Sequence, residues 1–80
     1  MIRFTAHAED MIDVRRIERR WVIATLSQPT FSVADPHDMT LTRSFRSIPE
    51  AGGRILRVVH RPSGDDIVVV TAHFDRGASS

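Results

Sequence analysis

The residues with chemical potential gather around one stretch, Ile67–Arg76, the most strand-like run in the chain. Val68, Val70, Ala72 and Phe74 fall on one side of a period-two ladder, and Ile67, Val69, Thr71, His73 and Asp75 on the other. The first side is wholly apolar and is expected to face a core. The second turns polar at Thr71 and His73, as an open sheet face does. Extending this assignment to the preceding strands places Leu56 and Val58 inward, with Arg57 and Arg61 outward. It also places Leu41 and Phe45 inward, with Thr42, Ser44 and Arg46 outward. The expected open face therefore carries Arg46, Arg57, Arg61 and His73, with Thr42, Ser44 and Thr71 between them. It holds no acid before Asp75, so it is locally basic and suited to a phosphate backbone. The competing reading is an ordinary solvated face, because Arg and Thr are common on exposed strands and one bulge shifts the parity. No Phe or Trp is expected there, which favours backbone binding over base stacking.

Other constellations are less specific. His7, His37, His60 and His73 show no metal-ligand spacing, and the absence of Cys removes thiolate sites and disulfides. No cofactor and no metal are expected. Asp35-Pro36-His37-Asp38 reads as a turn that could also chelate a cation. Gly52-Gly53 reads as a hairpin loop and not a phosphate cradle. No local signature marks a Ser/His/Asp triad. Arg15-Arg16 with Arg19-Arg20 is a charge cluster at a helix start, either a solvated edge or an extension of a phosphate track.

The elements that must position these residues follow from periodicity and punctuation. His7–Val14 reads as a helix capped by Thr5, with Ala8, Met11, Ile12 and Arg15 along one stripe. A second helix spans about Glu18 to Ser27 and is apolar around most of its circumference. Its Trp21 marks either deep burial or a dimer interface. Pro29 ends it. Strands are expected at Thr30–Ala34, Met39–Ile48, Arg54–Arg61 and Ile67–Arg76, joined by short turns, with Met1–Thr5 as a lead-in or short first strand. The expected fold is α+β, with two N-terminal helices on one face of a three- to four-stranded antiparallel sheet.

The chain of 80 residues makes one domain, 1–80, with residues 77–80 expected to fray. Its 41% hydrophobic and 26% charged content is that of a globular protein. No apolar run is long enough to span a membrane, and the opening Met-Ile-Arg-Phe-Thr lacks a signal-peptide core, so a cytoplasmic protein is expected. All 11 basic residues are Arg. That reflects either a GC-rich genome or selection for the guanidinium fork, which matches phosphate bidentately.

Several short motifs carry a family likeness: Thr5-Ala6-His7-Ala8, Arg15-Arg16-Ile17, then Val22, Leu26 and Pro29, Arg54–Val59, and Val68-Val69-Val70-Thr71. Together they resemble a widespread bacterial domain family of unknown function. That family opens with a His-Ala helix, continues through an Arg-Gly-Ile-Ser turn and closes on a strand ending in Val-Thr. It is similar to the RelE/BrnT-like toxins. The turn glycine is Arg16 here, and the capping serine is Glu18. The resemblance implies a RelE-like fold and a toxin-antitoxin role, with metal-free cleavage of mRNA through the RNA 2′-hydroxyl. By the resemblance His7, Arg15 and Arg57 fall on the family's recurring polar positions. On the implied mechanism His73 is assigned as base or acid and Arg57, with Arg46 or Arg61, as phosphate stabiliser. His73, Arg57 and His7 are thus the catalytic candidates, and Arg46, Arg61, Arg15 and Thr71 the RNA-binding ones. His7 and Arg15 have a structural alternative, for Arg15 an ion pair or a carbonyl cap. The implied partners are RNA or the ribosome and a small antitoxin protein. The rival expectation is a non-catalytic interaction module on the same fold, a homodimer through the Trp21 helix. A third is RNA or DNA binding without cleavage.

Overall fold

The computed structural model describes residues 1–76, and the expected frayed tail at 77–80 lies outside them. Element order is β1 (Ile2–Phe4), α1 (Ala6–Val14), α2 (Arg19–Ser27), β2 (Phe31–Ala34), β3 (Thr42–Ile48), a 3-10 turn (Pro49–Ala51), β4 (Arg54–Ser63) and β5 (Asp66–Phe74). The five strands form one sheet in the order β1-β5-β4-β3-β2. The expectation of three to four antiparallel strands is corrected here. β1 forms a fifth strand and runs parallel to β5, with Ile2 opposite Ile67 and Phe4 opposite Val69. The remaining pairs are antiparallel, and the sheet is therefore mixed.

Thr5 starts α1 as anticipated: its hydroxyl accepts the Ala8 N–H at 3.0 Å. The end of α1 is a Schellman turn. The Ile17 N–H donates to the Ile12 carbonyl at 2.8 Å and the Arg16 N–H to the Asp13 carbonyl at 3.2 Å. Ile12 and Ile17, which flank this turn, are both in the core. The motif requires a left-handed residue, and Arg16 adopts φ 55° to supply it. The turn takes this shape with arginine at its left-handed position.

Both helices cover one face of the sheet. Ala8, Ile12, Ile17, Trp21 and Val22 pack on Ile48, Leu56, Val58, Val69 and Ala72. Trp21 is 9% exposed and its ring meets Phe74 at 6.2 Å between centroids, so it is a core residue and not a surface anchor. Its indole Nε1 is buried without a hydrogen-bond partner among the described residues.

Two sequence assignments change in β3 and β5. Between Val59 and His60 the β4–β5 register shifts: Val59 faces Thr71, His60 faces Val69, and Val70 is the extra residue. The helix side of β5 is therefore Val69, Ala72 and Phe74, while Val68, opposite Arg61, belongs to the other side. In β3, Phe45 was expected inward and Arg46 outward. The register reverses them, pairing Arg46 with Leu56 on the helix side and Phe45 with Arg57 on the open side. Ile48 and Phe45 have opposite parity, and Ile48 takes the core position at 2% exposure.

Two stability measurements check this account. Arg16→Gly should raise the unfolding free energy by about 0.5–1 kcal/mol in urea titration, because glycine occupies the left-handed region without a Cβ penalty. Trp21→Phe should stay within about 1 kcal/mol of the parent, since it keeps the ring packing and removes the orphaned N–H, whereas Trp21→Ala should lose about 3–5 kcal/mol.

Candidate functional site

Directly opposed residues of an antiparallel sheet share a face, and here the register lines four of them into a row. Phe31 pairs with Phe45, Phe45 with Arg57, and Arg57 with His73. The row crosses β2, β3, β4 and β5 on the face away from the helices. Phe31 and Phe45 stack at 4.4 Å between centroids with 13° between planes. The Arg57 guanidinium lies 6.0 Å from the Phe45 ring centre. Arg57 Nε donates to His73 Nε2 at 3.0 Å, and Nη2 lies 2.5 Å from the same atom. The open face therefore does carry aromatic side chains, contrary to the sequence expectation, because Phe45 and Phe31 lie on it.

Asp75 anchors the arginine, with Oδ2 3.2 Å from Arg57 Nε. His73 receives a cationic donor at Nε2, which places its own proton on Nδ1. Burial lowers its pKa from the ordinary 6.5, and the charges of Arg57, Arg15 and Arg43 push the same way against Asp75. His73 is thus a neutral imidazole at neutral pH, a proton acceptor whose lone pair is covered by Arg57.

The next row on this face is Val33, Arg43, Val59 and Thr71. Arg43 Nε donates to Asp35 Oδ2 at 3.0 Å. Asp35 also accepts the backbone N–H groups of His37 at 2.8 Å and Asp38 at 3.1 Å, so the Asp35–Asp38 segment is an Asx turn. The His37 N–H is the largest influence holding its carboxyl below the usual value, and Arg43 adds to it. Arg61 is exposed opposite Val68, beyond this row.

The structure brings His73, Arg57, Thr71 and Arg61 to one face and leaves three anticipated residues elsewhere. Arg46 is on the helix side, where its Nη1 donates to the Gln28 carbonyl at 2.7 Å just past α2. Arg15 Nη1 donates to the Ala72 carbonyl at 2.8 Å, which is the carbonyl cap weighed for it. His7 is an exposed residue of α1, in the layer across the sheet from His73.

A second polar chain escaped the sequence reading. Ser32 Oγ and Ser44 Oγ are 2.8 Å apart, and Ser44 Oγ lies 2.8 Å from His60 Nε2. Ser32 and Ser44 are direct cross-strand partners, and Ser44 is 2% exposed. The chain satisfies polar groups on the helix side of the sheet, where burial lowers the His60 pKa. Only the strand register, not residue spacing, reveals it. Among the described residues there is no group of three or more His, Cys, Asp or Glu able to hold a metal ion, and no helix is long and apolar enough to cross a membrane.

Fold and site together define a two-layer α+β domain with its titratable pair on the uncovered sheet face. A family model described as "Domain of unknown function (DUF4258)" matches residues 4–74, and the chain belongs to that family. No curated protein and no solved structure matched the chain.

The depressed histidine pKa values have a stability consequence. The unfolded chain takes up protons near pH 6.5, while folded His60 and His73 resist them. Their contribution is complete above that value and is lost as the pH falls below it toward the folded pKa values. Urea midpoints should therefore drop between about pH 7.5 and about pH 5.5, and the drop should shrink in His60→Gln/His73→Gln.

Proposed function

We propose that this domain is a RelE-like toxin that binds RNA on the open sheet face and cleaves it without a metal. The observation that carries the reading is the Arg57–His73 pair, a cation against a neutral imidazole on a face that also holds Arg43 and Arg61. Cleavage of RNA needs only these two kinds of group. His73 Nε2 takes the proton of the 2′-hydroxyl, the 2′-oxygen bonds to phosphorus, and the bond to the 5′-oxygen breaks. The departing 5′-oxygen takes a proton from water, leaving a 2′,3′-cyclic phosphate. The Arg57 guanidinium meets the charge that grows on the phosphoryl oxygens.

The resting contact between the two residues fits this order of events. A phosphate competes for the Arg57 donors, and once they turn to it the Nε2 lone pair is uncovered. Arg43 and Arg61 hold the flanking phosphates. Thr71 adds a hydroxyl one row away from Arg57 and His73. A small antitoxin covering this face would block it.

A homodimer through α2 is the weaker reading, because Trp21 is turned into the core and Ile23, 43% exposed, is the large apolar residue that α2 presents. No motive for an interface remains in Trp21.

Expression in a bacterial host should arrest growth, and purified protein, with or without ribosomes, should cut RNA in the presence of EDTA. His73→Ala should slow cleavage by about 10²–10⁴-fold, and Arg57→Lys should fail to restore what Arg57→Ala loses, because ammonium lacks the fork. The rate should rise with pH through a midpoint below 6.5 and then level off, since His73 acts as a base with a lowered pKa. No arrest and no cleavage would overturn the reading.

A further inference from the structure

We infer that Phe31 is a base-stacking subsite and that the ligand of the open face is single-stranded RNA. The inference rests on the RNA reading above and adds what that reading lacks, a group that contacts a base.

Phe31 ends the cross-strand row on β2, the outermost strand on its side of the sheet. One face of its ring is stacked on Phe45 at 4.4 Å and nearly parallel. Phe45 is itself 5% exposed, enclosed by Phe31 on one side and Arg57 on the other, so it has no face to offer. Phe31 is only partly buried, and β2 is the edge strand of the sheet among the described residues, so the ring face opposite Phe45 has no cross-strand neighbour there. A base laid there would extend an aromatic stack that already exists, at the spacing and tilt aromatic systems prefer.

The surroundings favour a nucleotide over a bare anion. Val33, two residues along the same side of β2, is 47% exposed and gives an apolar floor for a second base or ribose. Arg43 is the direct partner of Val33, and Arg57 is the direct partner of Phe45. Each apolar contact thus has a guanidinium one or two strands inward, which matches the alternation of base and phosphate in a single strand. Bases in a duplex are stacked on one another and closed to such a contact.

The test is fluorescence anisotropy at fixed salt, with a labelled oligouridine octamer and an abasic octamer of the same length. Phe31→Leu keeps the packing on Phe45 but removes the π face, and far-UV circular dichroism confirms its fold. Phe31→Leu and Phe31→Ala should weaken the octamer by about five- to a hundredfold, Phe31→Trp should hold or tighten it, and abasic binding should not change. Parent protein that binds both oligomers equally, with no effect of Phe31→Leu, overturns the stacking subsite and leaves RNA binding intact. Parent protein that binds neither overturns the RNA reading, and this inference with it.

Discussion

The pairing of β4 with β5, and the bulge within it, is the constraint on which the rest depends. With strict alternation Val68, Val70, Ala72 and Phe74 would share one face. The extra residue Val70 reverses the parity of the residues before it, so that Val69 and not Val68 faces the helices, at 0% exposure, and Val68 is buried on the other side at 3%. The N-terminal layer is attached beside this bulge. The Thr5 N–H donates to the Val69 carbonyl at 3.0 Å, and its hydroxyl lies 3.3 Å from the Val70 carbonyl. The same hydroxyl caps α1. One threonine therefore ties the start of the helix layer to the irregular point of the central hairpin, and β1 ends where that tie is made.

What the sequence made legible follows from the strength of each pattern. β4 is readable because Arg57 and Arg61 interrupt the parity of Ile55 and Val59, leaving Leu56 and Val58 as the continuous apolar pair for the core face. The C-terminal half of β5 was readable for the same reason. β3 was not, since Thr42–Ile48 holds two large apolar residues of opposite parity. Pairing with β2 decides it, by giving Phe45 an aromatic neighbour on the open side. β1 is three residues long, too short to show a period, and its place beside β5 depends on contacts distant in the chain. The error at β3 concealed the aromatic half of the site and displaced Arg46 into it.

The all-arginine composition also resolves by position. Arg15 and Arg46 cap carbonyl groups, Arg54 caps Ala51 and lies over the Phe74 ring, and Arg19 lies over Phe4 and pairs with Glu9. These positions use the planar fork and the apolar faces of guanidinium, which lysine lacks. Structural demand therefore accounts for much of the arginine, and bulk basicity is a poor guide to function. The proposal depends instead on Arg43, Arg57 and Arg61, and two of these are held by acids, Asp35 and Asp75.

Those acids sharpen the chemistry. Burial lowers the His73 pKa, and the Arg57 cation held by Asp75 and Phe45 beside its ring lowers it further. The arrangement therefore favours a base over an acid at His73. In the proposed mechanism that base would stay idle until a competing anion draws the guanidinium away. Asp75, 3.2 Å from Arg57 Nε, would oppose full withdrawal in that mechanism. Removing Asp75 would relax that hold and ease protonation less, since its charge is the one that raises the His73 pKa. On the proposed reading, a neutral, covered base next to a tethered cation would couple phosphate binding to proton transfer, and the directly opposed Arg57 and His73, with Asp75 holding the guanidinium, are the groups that would do it.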